Sequence, residues 1–512
     1  MIFKRTINRD DLFPCALCED APCTKACGMM DCAALLRAAW FDNEQGAARA
    51  LPKHLPCAKC TLKCEKSCVF HGQVHIKKVM QQLADIREEL DVKERPDRKN
   101  LRIDLAGFAL KNPFILDAPD ASDTLEKCLN ALRAGYGGVI LPHKIQEHTA
   151  GEGYISPRFG SVKMGRSIIE LIDIDAEACS FSDSKDGGAD EYPSGMAAEG
   201  GSYLPESLGF IPVLKRTCPE NMVIASYRKS TGIRPADYSI LAEKAGADAL
   251  LLDFTPGTRS ALQQLDEIKD CLRAVREKSS IPLILRFQAS DADQTELLAL
   301  AEEYDVSVLN PQYSGKGILS VNQHYYAPEP SVRGKSAIGL TRGLNMKPTA
   351  LAQQAILAKN KSSEKLQFLS GTGIECWSDG LDFILLGASA VCVSEAVMHY
   401  GLRVIDDLTD GLSGYLAEKN LNGIQRLIGI ALANITDAEE LDSNAIMYPN
   451  ISRTKCIRCG RCSLVCKECS TGALTTDFGS VPMLIARNCT GCHLCIQNCP
   501  TGALTPTRRI NA

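Results

Sequence analysis

Between residue 101 and about 425, short apolar runs alternate with amphipathic stretches. The runs are PFILDAP (113–119), GGVILPHK (137–144), MVIASY (222–227), DALLLDF (248–254), PLILRF (282–287), VSVLNP (306–311), SAIGL (336–340), LQFLSGTGI (366–374) and ASAVCV (388–393). A strand that is apolar throughout belongs to a parallel sheet covered by helices on its faces. Eight or so such units predict an α/β fold, a (β/α)8 TIM barrel, with its chemistry at the C-terminal ends of the strands. A doubly wound sheet is the alternative architecture. Upstream, AALLRAAWFDNEQGAARAL (33–51) and VHIKKVMQQLADIREEL (74–90) carry helical apolar spacing. The charged, proline-containing DVKERPDRKN (91–100) reads as a linker. Three domains are expected: a helical one over 1–98, the barrel over 99–445, and a small α+β one over 446–512.

Cysteine spacing adds chemistry to this outline. Cys456, Cys459 and Cys462 stand at x2 intervals and Cys466 follows at x3; Cys489, Cys492, Cys495 and Cys499 repeat the spacing, followed by Pro500. This is the run of a two-cluster ferredoxin, in which three thiolates of one run hold one 4Fe–4S cube and the fourth reaches the other cube. The phrase CPTGAL after Cys495 is echoed by CSTGAL, which aligns Cys469 with Cys499, whereas spacing selects Cys466. A second field holds Cys15, Cys18, Cys23 and Cys27, then Cys57, Cys60, Cys64 and Cys68. It predicts two further clusters, four in all, with paired zinc sites as the alternative. Cys32 has no place in this pattern and reads as a buried thiol.

Composition narrows the setting. At 512 residues the chain is too long for one core. A net charge of −5 argues against a nucleic-acid surface. No run of 18 apolar residues occurs, so no membrane span is expected. Most of the 24 cysteines fall in the two fields, and MIFKRTINRDDLF is not a leader peptide, which together read as metal ligation in a reduced cytoplasm. No G-x-G-x-x-G is present, because GTGIEC at 371–376 lacks the third glycine. Paired clusters mean one-electron traffic. The expected source is a ferredoxin or flavoprotein partner rather than a nicotinamide nucleotide.

The C-x2-C-x4-C-x3-C run with its second cysteine group resembles the N-terminal iron–sulfur domain of dihydropyrimidine dehydrogenase and of the glutamate synthase small subunit. LRIDLAGFALKNPFILDAP, ISPRF, IASY, GADAL, GLTRGLNMKPTAL, SGTGI and GLDFILLGASAVCVSEAV resemble, in order, the FMN barrels of dihydroorotate and dihydropyrimidine dehydrogenases. The FAD and NADPH domains that follow the linker in dihydropyrimidine dehydrogenase are absent from this sequence. The resemblance implies one FMN, oxidoreduction at a C=C or C=N bond of a small N-heterocyclic or amide substrate, and a homodimer or hetero-complex. An electron-transfer subunit without a substrate site is the second reading. In the N-terminal field it implies Cys15, Cys18, Cys23 and Cys68 on one cluster and Cys27, Cys60 and Cys64 on the other, completed by Gln81 or by Cys57.

The same resemblance implies the cofactor site. Gly371, Thr372 and Gly373, with Ser394, would cradle a phosphate through backbone N–H groups. Thr372 replaces a family glycine, and Glu395 places a carboxylate close by. Lys144 and Arg286 would face the flavin ring, Arg286 where the family has lysine. Asn310 matches a pyrimidine-contacting Asn, and Ala118 and Gly343 match backbone contacts. The family's catalytic cysteine after the fourth strand is missing. Asp253 and Thr255 occupy that place, Asp253 as an acid whose pKa an apolar pocket would raise. His324, Tyr325 and Tyr326 are alternative proton donors.

Overall fold

The computed structural model describes residues 7–142 apart from 8, 71–72 and 91–99; 159–172 apart from 165–166; 206–329 apart from 229–232, 256–263 and 290–293; 335; 338–476 apart from 443–444; and 479–507. Two compact units form, Ile7–Ala433 and Asn434–Ala512. The N-terminal cysteine field and the barrel therefore share one unit rather than standing as separate bodies.

Eight parallel strands close the barrel: β1 Phe114–Leu116, β2 Gly138–Ile140, β3 Met222–Tyr227, β4 Ala249–Phe254, β5 Leu283–Gln288, β6 Val308–Gln312, β7 Gln367–Ser370 and β8 Ala390–Val393. β8 pairs with β1, which closes the cylinder. Residues of both pleat faces are buried along β1, β2, β7 and β8 almost without exception, since side chains fill the interior while helices cover the outside. This is the expected fold, with one reassignment. The run SAIGL is not a barrel strand. Gly339–Arg342 instead pairs antiparallel with Ser167–Ile172 and with Gly315–Gly317 in an accessory sheet. Apolarity alone does not say which sheet a short strand joins.

Five helices frame the N-terminal cysteines: α1 Pro22–Cys27, α2 Cys32–Trp40, α3 Glu44–Ala50, α4 Lys63–Ser67 and α5 Ile76–Glu89. The stretch 33–51 is thus two helices. Asp42 takes a left-handed conformation (φ 67°) that stops α2, and the Asn43 side chain then accepts from Gly46 N at 3.0 Å to start α3. Two later helices receive this layer, α6 Trp377–Leu385 after β7 and α7 Val404–Glu418 after β8. Trp377 Nε1 donates to Asp42 O at 2.8 Å and Ser378 Oγ to the Asp42 carboxylate at 2.6 Å. Arg37 pairs with Asp407 at 3.1 Å, Asn43 donates to Asp410 at 2.7 Å, and Arg49 pairs with Glu418. Arg403 reaches into the first cysteine loop and donates to Ala16 O at 2.8 Å. Phe41 meets Tyr400 edge to face, with centroids 5.1 Å apart.

The second unit is small. α8 Arg461–Cys469 packs with the turn Leu494–Gln497, and short hairpins hold the ends together. Its core is built largely of cysteines with Ala473, Leu474 and Leu504. Among the described residues no helix is long and apolar enough to cross a membrane.

The contact between α2 and α7 is sensitive to pH. Burial pushes the Asp407 carboxyl up to about 6, against the pull of Arg37, and Asp406 and Asp410 add to the rise. A folded-state pKa above the unfolded value means the native state holds the proton more tightly. Stability from this group is therefore complete below about pH 4 and is lost as pH rises through 6. Against an Asp407→Asn variant, the unfolding free energy of the parent should fall by about 2 kcal/mol between pH 4.5 and 7.5 in urea titrations. A pH-independent difference would remove this reading.

Candidate functional site

The C-terminal strand ends bring seven polar side chains together. Arg286, on β5, donates from Nη2 to the Asp117 carboxylate at 2.6 Å and from Nε to Asn310 Oδ1 at 2.7 Å. Its Nη1 lies 4.0 Å from the Asp253 carboxylate. Asp253, the penultimate residue of β4, also receives Arg228 Nε at 2.9 Å. The Thr255 hydroxyl donates to the other Asp253 oxygen at 2.6 Å, and Thr255 N to the same oxygen at 2.9 Å. Asn310 is 0% exposed. Its amide donates to Leu369 O, while its carbonyl accepts from Gln312 at 2.8 Å as well as from Arg286. Asn310 therefore organises the interior of the barrel.

These contacts correct the expectation for Asp253. Burial alone would raise its pKa, but the guanidiniums of Arg228 and Arg286 and the two hydrogen bonds from Thr255 hold it down at about 2. At neutral pH it is an ion-paired carboxylate that orients the Thr255 hydroxyl, and it carries no proton to give. The other proposed donors lie elsewhere. His324, Tyr325 and Tyr326 occupy the tip of the hairpin Ser320–Asn322/Ala327–Glu329, where the tyrosines are 81% and 85% exposed. Asp117, Arg228, Gln312 and the buried thiol of Cys392 were not anticipated. A charged residue directly at the end of an apolar run, as in PFILDAP and MVIASYR, was the available signal.

The turn after β7 is shaped by close backbone approach. Gly373 has φ +69°, and a Cβ there would stand 2.6 Å from Gly343 O and from the Leu344 Cα. Gly343 and Gly373, expected on separate cofactor contacts, thus touch each other. Gly371 is equally constrained: its Cβ would meet Cys392 O at 2.5 Å. Thr372 is buried between them. Ser394 follows β8 directly and begins the short helix Glu395–Tyr400. Ala118 is buried after β1, its carbonyl taken by Ser122 Oγ at 3.1 Å. Lys144 lies outside the described residues. A glycine turn beside a strand-end amide and a buried cation suits a phosphorylated, electron-accepting ring such as FMN. When bound, that ring supplies hydride transfer.

The cysteines form four groups. Burial, then the nearby thiols of Cys23, Cys68 and Cys18, push Cys15 up to about 12. Cys57 is pushed up to about 11 by burial, then by Cys60, Cys64 and Cys27. The two N-terminal runs therefore interleave, because α1 packs on α4. Gln81 stays out of these groups, exposed on α5, while Cys57 is buried. Cys32 lies against Cys27 and Cys64. In the second unit one cavity is lined by Cys466, Cys489, Cys492 and Cys495, and another by Cys456, Cys459, Cys462 and Cys499. Each cavity takes three thiols from one run and the fourth from the other. Cys469 lines neither and is exposed. Among the described residues no three Cys, His, Asp or Glu side chains close around a single ion. Four thiols gathered around one space, three from one run and one from the other in the second unit, suit sulfur-bridged iron.

Comparison with known proteins agrees with this arrangement. Residues 449–505 match the family described as a 4Fe-4S dicluster domain. The chain is 30% identical over 380 residues to the NAD-dependent dihydropyrimidine dehydrogenase subunit PreA of Escherichia coli (strain K12), covering 72% of this chain and 86% of that protein. It is 27% identical over 342 residues to the catalytic subunit of dihydroorotate dehydrogenase B (NAD(+)) of Pyrococcus abyssi, covering 65% and 99%. With the chloroplastic dihydropyrimidine dehydrogenase (NADP(+)) of Arabidopsis thaliana it shares 27% over 364 residues, covering 67% and 79%. With its closed barrel and its dicluster domain, the chain belongs to the dihydropyrimidine and dihydroorotate dehydrogenase family of iron–sulfur flavin oxidoreductases.

Proposed function

We propose that the chain carries one FMN and four 4Fe–4S clusters and exchanges electrons with a C=C or C=N bond of a small N-heterocyclic or amide substrate, in the manner of dihydropyrimidine dehydrogenase. The carrying observation is the buried cluster at the strand ends, where a cation, an oriented hydroxyl and the 371–373 turn stand at one end of the barrel. Gly371, Thr372, Gly373 and Ser394 would hold the phosphate, and Arg286 would face the ring. Cys15, Cys18, Cys23 and Cys68 would hold one N-terminal cluster, and Cys27, Cys57, Cys60 and Cys64 the other. Relatives named as subunits support a hetero-complex; in this reading a ferredoxin or flavoprotein partner delivers the electrons. A cytoplasmic site of action is consistent with thiol ligands, which a reduced compartment keeps from pairing as disulfides.

Thr255 would handle the proton in this reading, its Oγ1–H leaving the Asp253 carboxylate for the substrate carbon and water returning a proton to the oxygen. Its hydroxyl is fixed by a carboxylate that remains ionised across the neutral range, so orientation is settled before substrate arrives. Asp253 is a positioning residue: Arg228 anchors it, and it aims Thr255 Oγ1. Desolvation by the surrounding barrel strengthens these contacts relative to water.

Anaerobically purified protein should release FMN and no FAD on acid treatment, with iron and sulfide near sixteen each, at about four per cluster. Half that iron with zinc in the remainder would refute the N-terminal assignment. Cys466→Ser and Cys57→Ser should each lose iron, whereas Cys469→Ser and Gln81→Ala should keep the full content. Iron loss in the opposite pair would reverse the ligand choice. Thr255→Val should retain flavin and iron but slow reoxidation of the reduced flavin by a pyrimidine or other cyclic amide about a hundredfold. A parental rate in that variant would place proton handling elsewhere.

A further inference from the structure

We propose that Asp117 lowers the reduction potential of the bound flavin by cancelling the charge of Arg286, an inference that rests on the flavin reading above. Arg286 is the cation that would face the ring, yet it does not stand alone. Asp117 meets Nη2 at 2.6 Å, and Asp253 lies 4.0 Å from Nη1. Asp253 is in turn paired with Arg228 at 2.9 Å. Two guanidiniums and two carboxylates sum to no net charge. All four side chains are at most 15% exposed, so water screens them weakly.

Asp117 is fixed in this place by the barrel. It is the first residue after β1, and its N–H donates to Val393 O at 3.1 Å, continuing the pairing with β8. The closing seam of the cylinder thus holds the Asp117 backbone where its carboxylate reaches Arg286.

Reduction of the flavin takes two electrons from the clusters and one proton from water, and leaves one negative charge on the ring. A bare cation beside the ring would favour that charge and make the flavin easier to reduce. A cation already paired with a carboxylate favours it less. The reduced flavin is then a stronger donor, suited to pushing electrons onto a substrate double bond. The clusters that feed it must be correspondingly strong reductants.

The test is an anaerobic redox titration of the full-length holoprotein, reading the flavin band against the same protein stripped of flavin. Asp117→Asn keeps the shape and leaves one uncompensated positive charge. At a fixed applied potential its ratio of reduced to oxidised flavin should rise about tenfold, equivalent to about 30 mV for a two-electron couple. Asp117→Glu, which restores the charge, should titrate like the parent. The double variant Asp117→Asn, Arg286→Gln, neutral again, should return towards the parental ratio. An unshifted Asp117→Asn titration, or an equal shift in Asp117→Glu, overturns the proposal. Should Asp117→Asn not retain flavin, the double variant decides: a parental ratio supports the proposal, and a raised ratio overturns it. A parent protein that takes up no FMN defeats the cofactor reading itself, whereas a flavin-loaded parent with unshifted variants defeats only the role of Asp117.

Discussion

A guanidinium cannot be carried into a barrel interior alone, because desolvating an ion costs several kcal/mol unless charge and hydrogen bonds are returned to it. Arg286 imposes that demand on the strand ends. Asp117 answers it from β1, Asp253 from β4 and Asn310 from β6. Asp253 is then itself too acidic to stand without Arg228 from the end of β3. One buried cation thereby ties together the ends of five of the eight strands. The chemistry left to the site follows from this. Asp253 is committed as an anion by its two guanidiniums, which leaves the hydroxyl of Thr255 as the proton carrier of the proposed reading.

Much of this was legible in the chain. Continuous apolar runs separated by helical stretches identify a barrel because both faces of its strands are buried, and the eight strands coincide with eight of the nine runs. SAIGL was the ninth, and nothing in five residues distinguishes a barrel strand from an accessory one. The crossed pattern of Cys466 and Cys499 was readable because ferredoxin spacing dictates which thiol reaches the other cavity. The interleaved N-terminal groups follow from α1 packing on α4, a tertiary contact that spacing alone does not encode. Asp253 was misjudged for the same kind of reason. Its neighbours in sequence are apolar and suggest a raised pKa, whereas its neighbours in space are Arg228 and Arg286, which lie 25 and 33 positions away.

The cysteine-bearing helices are a side of the barrel unit in their own right. Their basic residues meet an acidic face of α7, so Arg37 and Arg49 find Asp407 and Glu418. Asp42 touches the chain at Trp377 and Ser378, four and five residues beyond the Gly373 of the strand-end turn. The sharp left-handed break between α2 and α3 is what turns the Asp42 carbonyl and carboxylate outward onto that segment. A helix uninterrupted across 33–51 would keep its backbone carbonyls inside and lose the contact.

The pair Arg37–Asp407 joins positions 370 apart in sequence. Such a contact forms late, since it pays the loop-closure entropy of nearly the whole barrel before it returns any energy. During synthesis the first cysteines to emerge are therefore among the last to be seated, and Cys15 to Cys68 stay without their supporting wall until α7 has been made. Iron delivered to them earlier would meet a loose array of thiols. Under the proposed cluster assignment, filling of the N-terminal sites would thus wait on the opposite end of the barrel, while the C-terminal unit, whose candidate ligands all lie within 44 residues from Cys456 to Cys499, needs no such distant partner.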